Sequence, residues 1–322
     1  MFYAGFLLMG IGSSLGAYMV PQTSIVRWFK KDIGKASGVM AMGMGISGAF
    51  IPLMVKLIDT FGWQRSLSIL AFGMFALGLP LSFVFLNRPE EHGLLPDGKP
   101  QSDSKDKGAE ASNEFNATAG EALRMRAFWH IGIASTIQMG AVMAVTTHVM
   151  PYLESIGVAR TTAGNVAMFI PLTSLLSRFP FGFLCDLYIK KYVVALSLLL
   201  NFIGMIFFWF LGRGHFGLIF PFVIFFGLGI GGMSSPRTPI LRDYFGTKYF
   251  GVIFGITGIF VTAGIVTFPP IVGWVFDSLG TYQPVWLILS FVILGGIIIM
   301  ITAPRSHKEL KPVVDQSELE TK

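Results

Sequence analysis

The constraint that governs this chain is a series of nine apolar runs. Each is long enough, or nearly so, to cross about 30 Å of hydrocarbon as a helix rising ~1.5 Å per residue. They fall at about 2–26, 36–57, 67–87, 128–151, 162–184, 193–211, 217–240, 250–274 and 285–303, and no Asp or Glu lies inside any of them. In lipid no water satisfies a bare backbone N–H or C=O, so the runs must be helices. The chain is therefore read as an all-α, polytopic membrane protein. Composition agrees: 53% hydrophobic and 13% charged residues, with a mean hydropathy of +0.65, exclude the soluble globular class. The net charge of +6 sits almost wholly between the runs, so it reads as membrane orientation and not as a nucleic-acid footprint. A single cysteine, Cys185, excludes an intrachain disulfide.

Lysine and arginine give the orientation. Eighteen of the 24 fall on one side of the expected membrane, among them Arg27, Lys30, Lys31, Lys35, Lys190, Lys191, Arg242 and Lys248. Lys56, Arg65, Arg160 and Arg213 fall on the other, and Arg178 and Arg237 remain inside apolar runs. The basic side is expected to be cytoplasmic. With nine spans, the N-terminus is then outside and the C-terminus inside. Residues 88–126, rich in Asp, Glu, Lys, Ser, Gly and Asn, read as a cytoplasmic central linker, and 305–322 as a cytoplasmic tail. Thr118-x-x-Glu121 is a capping-box pattern that predicts a short helix leading into the next span. Asn116-Ala-Thr118 matches the glycosylation sequon, a false positive in a cytoplasmic loop.

An internal repeat organises the runs. Pro21-Gln-Thr-Ser-Ile-Val-Arg27 returns 215 residues on as Pro236-Arg-Thr-Pro-Ile-Leu-Arg242. Gly10-Ile-Gly12 returns as Gly227-Leu-Gly229, and Asp59-Thr-Phe-Gly62 as Asp277-Ser-Leu-Gly280. Six spans separate the copies. That number is even, so both enter the membrane from the same face, as in parallel halves related by an axis along the membrane normal. In this register the first run corresponds to the fourth helix of a half. Residues 127–304 then form a six-helix half, and 1–87 a remnant of three helices. Three further helices, about 90–100 residues with their loops, are expected upstream of Met1, and residues 1–322 alone are not expected to transport.

Arg178 is the most costly residue in the runs. A charge at bilayer depth costs roughly 2.5–3.5 kcal/mol on insertion scales, and such a residue normally faces a water-filled cavity or a partner. It shares a helical face with Ser174, Gly182 and Cys185, a small and polar face that suits a cavity better than lipid. The competing reading is an arginine that snorkels to the interface or pins a neighbouring helix.

The run Arg178-Phe-Pro-Phe-Gly182-Phe-Leu-Cys-Asp186-Leu-Tyr-Ile-Lys190-Lys191 resembles the Gly-x-x-x-Asp loop motif with basic residues of the major facilitator superfamily, in its second-half copy. Arg88-Pro-Glu-Glu-His-Gly93-Leu-Leu-Pro-Asp97-Gly98 is similar to the segment after the sixth helix in bacterial members related to oxalate/formate antiporters and monocarboxylate transporters. Trp28-Phe29, Gly62-Trp63 and Asp243-Tyr-Phe-Gly246 resemble further landmarks of that group. Two departures stand out. The usual Gly-Trp-Arg reads Gly62-Trp63-Gln64-Arg65, and the run 250–274 has no lysine where oxalate-type members place a second cation. The second departure argues against oxalate and for a carrier with fewer anion contacts.

The resemblance implies a bacterial inner-membrane carrier working by alternating access. It matches Arg178 to an arginine that pairs with a substrate carboxylate, a role suited to a planar, permanently charged guanidinium. Arg237, Gln138 and His148 are further substrate-contact candidates. Against that, Arg237 can instead pair with Asp243, and His148 can simply bond a neighbouring helix. Gly182, Asp186, Lys190 and Lys191 are expected to act in conformational change, with Asp186 capping or pairing a neighbouring helix end. Gly38, Gly43, Gly45, Gly251, Gly255 and Gly258 read as close-packing faces. The runs hold no cluster of His, Asp and Glu and no nucleophile with its base, so no catalytic residue, metal or cofactor is expected. The expected partners are the lipid bilayer, a small organic anion such as a monocarboxylate, and a coupled proton or exchanged anion. The alternatives are a carrier of a neutral or other small solute, with Arg178 structural, and a non-transporting sensor.

Overall fold

The computed structural model describes residues 2–13, 20–46, 51–84 and 115–304, together with 89, 94, 95, 97, 99, 100 and 306. Arg88, Gly93, most of the linker and all of the tail except Ser306 lie outside the described residues. Seven helices among them are long and apolar enough to cross a membrane. Helices α1 (Phe2–Ser13) and α2 (Val20–Trp28) flank 14–19, and α3 (Ile33–Ile46) and α4 (Ile51–Val84) flank 47–50. The first two expected runs therefore pass through residues outside the described set. After the linker come α5 (Ala119–Arg124), α6 (Arg126–Ser155), α7 (Arg160–Leu187), α8 (Lys190–Leu211), α9 (Ile219–Ser234), α10 (Arg237–Phe245), α11 (Phe250–Leu279) and α12 (Gln283–Ile301). The six later runs agree with these helices to within a few residues, except that α10 carries the run 217–240 on to Phe245.

The repeat is visible in the backbone. Helix α4 is two helices joined at Gly62, whose φ of 76° needs a residue without a Cβ. Its counterpart Gly280 ends α11 with φ 66°. Pro21–Arg27 lies in α2 and Pro236–Arg242 spans the start and most of α10.

Among the described residues, the linker adds the one departure from helices. Strands β1 (Leu94–Leu95) and β2 (Lys99–Pro100) form a minimal antiparallel hairpin, with Leu94 opposite Pro100 and Leu95 opposite Lys99. Helix α5 starts with the expected capping box. The Glu121 N–H donates to Thr118 Oγ1 at 3.3 Å, and the Thr118 N–H donates to Glu121 Oε2 at 2.7 Å. The bonds from the Thr118 N–H and hydroxyl hold the Glu121 carboxyl below its ordinary value.

The later helices pack as a bundle: α8 against α9 and α12, α6 against α11 and α12, and α7 against α9. Small residues set the spacing. A Cβ added at Gly227 of α9 would meet Thr173 Cβ at 2.7 Å, so α7 and α9 touch almost backbone to backbone. Away from the basic side, aromatic rings fill the bundle. Phe208 stacks on Phe222 with centroids 4.3 Å apart, Tyr152 Oη donates to Phe208 O at 2.9 Å, and Trp286 is fully buried among them. By contrast the apolar side chains of α1 and of α4 beyond Gly62 lie on the surface, as in Tyr3, Phe72 and Phe83, which fits contact with acyl chains.

Candidate transport site and the contact between the repeats

The first-repeat helices α2 and α3 meet the later bundle at α7 and α10. The meeting place is the end that carries residues 29–32 and 246–249, called here the basic end. Helix α3 lies along α7 because both present glycine there. A Cβ on Gly34 would fall 2.6 Å from Asp186 Oδ1 and inside the envelope of Gly182 O. A Cβ on Gly38 would lie 3.0 Å from Arg178 O. Of the other glycines read as packing faces, Gly43 meets nothing within 4 Å. Gly251 and Gly258 leave room beside Thr23 and Arg237.

Asp186 ends this crossing. Its carboxylate accepts the N–H of Gly34 at 2.7 Å and of Lys35 at 2.9 Å. These are orphan donors of the first turn of α3, and a negative charge there is favoured by the helix dipole as well as by the bonds. Lys190 and Lys191 do not join that contact. Lys190 forms an ion pair with Asp243, tying the start of α8 to α10. Lys191, almost fully buried, donates to Ala303 O at 3.0 Å beyond the end of α12. Both brace the later bundle internally.

Arg178 reaches from α7 across the same crossing, and its Nη1 donates to Ala41 O on α3. Its own carbonyl accepts from Ser235 Oγ at 2.6 Å. The face it shares with Ser174, Gly182 and Cys185 is buried, but helices fill it: Gly34 packs on Gly182, and Gly231 of α9 packs on Ser174 and Ser177. In this arrangement that face is a helix contact and not the cavity expected from its polarity.

Arg237 opens α10 two residues after Ser235. Its guanidinium lies over the Phe254 ring at 4.5 Å and donates to Thr257 Oγ1 at 3.3 Å, both on α11. Asp243, the expected alternative partner, pairs with Lys190. Arg237 and Ser135 line a small cavity of about 10 Å³, room for one water. Gln138 is buried inside the later bundle, where Nε2 donates to Ser197 Oγ at 3.2 Å and Gly229 O at 3.3 Å. It joins α6, α8 and α9 and lies apart from the α3–α7 crossing. His148 lies near the opposite end, with Nε2 3.0 Å from Pro269 O and Nδ1 3.4 Å from Tyr282 Oη. The structure thus brings Arg178, Gly182 and Asp186 together and leaves Gln138 and His148 elsewhere.

Several contributors escape a reading by residue type. Gln22 accepts from Thr238 Oγ1, joining equivalent segments of the two repeats. Arg242 donates to Phe29 O across the same boundary. Gly34 had a signal, the pair Gly34-x-x-x-Gly38. Asn201, buried between α8 and α9, had none.

These helices form a repeated bundle whose repeats close on each other at one end through glycines and a capping carboxylate. The family model described as Major Facilitator Superfamily matches residues 1–170 and 148–321, and the chain belongs to that superfamily. Monocarboxylate transporter 12 of Mus musculus is 22% identical over 320 residues, covering 91% of this chain and 64% of the relative. The MFS transporter asaE of Aspergillus flavus is 23% identical, covering 97% and 68%. Monocarboxylate transporter 10 of Homo sapiens is 25% identical, covering 94% and 60%. The chain therefore spans 60–68% of the length of these relatives. Among solved structures, a variant of the E. coli fucose:proton symporter FucP aligns with a TM-score of 0.63 at 16% identity, covering 92% of this chain and 75% of that one.

Proposed function

We propose that the protein acts in secondary transport of a small organic anion, a monocarboxylate, by alternating access, with Arg178 receiving the carboxylate. The observation that carries this reading is the place of Arg178 at the crossing of α7 and α3, where the two repeats meet. Its guanidinium is held there by the Ala41 carbonyl. The Ala41 carbonyl offers those donors one neutral acceptor, whereas a carboxylate brings a full negative charge and two oxygens that fit the guanidinium fork side by side. When α3 and α7 part, an incoming carboxylate would take the place of Ala41. The names of the monocarboxylate transporters and the lack of lysine in 250–274 support a singly charged substrate. In this reading 1–87 belongs to one half, 127–304 forms the other and 88–126 links them. A coupled proton or exchanged anion drives the cycle.

The test is binding of a labelled short-chain monocarboxylate to the protein in vesicles, with competitors. Monocarboxylates should compete, dicarboxylates less, and the matching neutral amides at least tenfold worse, as one lost charge-assisted bond would give. Equal competition by the amides would shift the reading to a neutral solute with Arg178 as a helix pin, a reading that the Arg178–Ala41 bond also favours.

In this reading the basic end faces the cytoplasm of a plasma membrane, which the distribution of Lys and Arg supports. In a Cys185→Ala background, Ser155→Cys should react with a membrane-impermeant thiol reagent in intact cells and Lys248→Cys should not. Reaction of the second without lysis would reverse the orientation.

A further inference from the structure

The hairpin segment around Asp97 has no part in the site described so far, although its sequence stands out. Asp97 sits at the turn between β1 and β2 with φ 66°, a conformation that Asp tolerates better than most residues. From there its carboxylate reaches the turn between α2 and α3. Oδ1 accepts the N–H of Lys30 at 2.9 Å, and Oδ2 accepts that of Lys31 at 3.2 Å. Three to four residues later, Asp186 accepts the N–H groups of Gly34 and Lys35. Two carboxylates thus share four donors of one turn and the helix start that follows it. Only Asp186 comes from the opposing repeat; Asp97 comes from the linker. The later repeat shows the same clamp. Asn116 Oδ1 accepts the N–H of Thr247 at 3.0 Å and of Lys248 at 2.9 Å, and these residues lie 217 positions after Lys30 and Lys31. That falls within the 215–218 spacing of the internal repeat.

We propose that Asp97 is a positioning residue for the closed basic end: it fixes the α2–α3 turn so that the Gly34 and Lys35 N–H groups face Asp186. The bonds to Asp97 persist when the repeats part, while those to Asp186 break. An aimed pair of donors lets Asp186 re-form its contact without first ordering the turn, so the entropy of ordering is spent on the near side of the interface. This inference rests on the alternating-access reading.

The test needs no substrate. Ser37 is fully buried on α3 between Gly34 and Ala41. In a Cys185→Ala background, the thiol introduced by Ser37→Cys reports how often α3 leaves α7, through its rate of reaction with N-ethylmaleimide. Asp186→Ala should raise that rate, and Asp97→Ala should raise it roughly tenfold. The double variant should react no faster than Asp186→Ala alone, because Asp97 acts through Asp186. Asp97→Asn, which keeps one acceptor, should recover most of the parent rate. Asn116→Ala, which frees a turn that Asp186 does not touch, should leave it near the parent value. An unchanged rate in Asp97→Ala with a raised rate in Asp186→Ala overturns the proposal alone. Additive effects of the two overturn it as well, since Asp97 would then only support the fold. If Asp186→Ala itself changes nothing, the closed-contact reading fails together with this proposal.

Discussion

Gly34→Ala should hold the basic end open and reduce transport by at least a hundredfold. The added methyl would meet the Gly182 carbonyl and lie 2.6 Å from Asp186 Oδ1. Neither is the yielding tip of a long side chain: one is helical backbone in the last turns of α7, and the other is the carboxylate that caps α3. Overpacking typically costs 1–3 kcal/mol. Moving the helices apart also removes the two bonds from Gly34 and Lys35 to Asp186, and bonds to charged groups contribute about 1.5–3 kcal/mol each. Even the smallest of these, about 1 kcal/mol for overpacking and about 1.5 for each bond, add to about 4 kcal/mol, or roughly three decades in the population of the closed state. Gly182→Ala should act in the same direction, because its methyl would press on the Gly34 backbone. Gly43→Ala, on the same helix with nothing within 4 Å, should transport normally. The measurements are uptake into vesicles by the chain extended with the helices expected upstream of Met1, and the reactivity of the thiol placed by Ser37→Cys. Normal uptake and a protected thiol in Gly34→Ala would show that the α3–α7 contact is not part of the cycle.

The architecture was legible because a membrane leaves the backbone so few solutions. Length and hydropathy located α6, α7, α8, α11 and α12 to within a few residues, and the repeat that pairs Asp59–Gly62 with Asp277–Gly280 reappears in the backbone as two positive-φ glycines. Asp186 was legible through the resemblance of Gly182-x-x-x-Asp186 to a known loop motif, which left capping and ion pairing open; the bonds from Gly34 and Lys35 make it a cap. The partner choices were not legible. Lys190 and Lys191 look equivalent in sequence. Lys190 meets Asp243, whereas Lys191 is drawn under the end of α12 by where α8 happens to pack. Gln138 looks like a polar group available to a ligand, and only the packing of α6, α8 and α9 reveals that Ser197 and Gly229 already occupy it. The polar face around Arg178 misled for a related reason. Glycine and serine permit a cavity and a close helix crossing equally, and sequence does not say which neighbour arrives. Asp97 and Asn116 were hidden by distance. Each acts on a turn more than sixty residues away in the chain, and only the repeat spacing links the two.

Replacing Arg178 decides between the two readings of its guanidinium. If it receives a carboxylate, Arg178→Lys keeps the charge but loses the planar fork, and substrate binding should weaken about ten- to a hundredfold. Arg178→Gln should bind more weakly still, because no charge remains to offset desolvation of the carboxylate. Folded protein in the membrane should stay near the parent level in Arg178→Gln, where the bond to Ala41 O is lost but so is the cost of keeping a charge at that depth. If the arginine is instead a pin between α7 and α3, the pattern inverts. Both variants then lose folded protein or leave the Ser37→Cys thiol exposed, and the carrier that survives binds its substrate with unchanged affinity. Binding normalised to folded protein separates the two, because the first reading moves affinity and the second moves amount. The Ala41 carbonyl adds a further discriminator. It competes with substrate only in the closed arrangement, so Gly34→Ala, which holds α3 away, should tighten carboxylate binding in the parent and leave Arg178→Gln unaffected. Tightening in both would remove Arg178 from the substrate site.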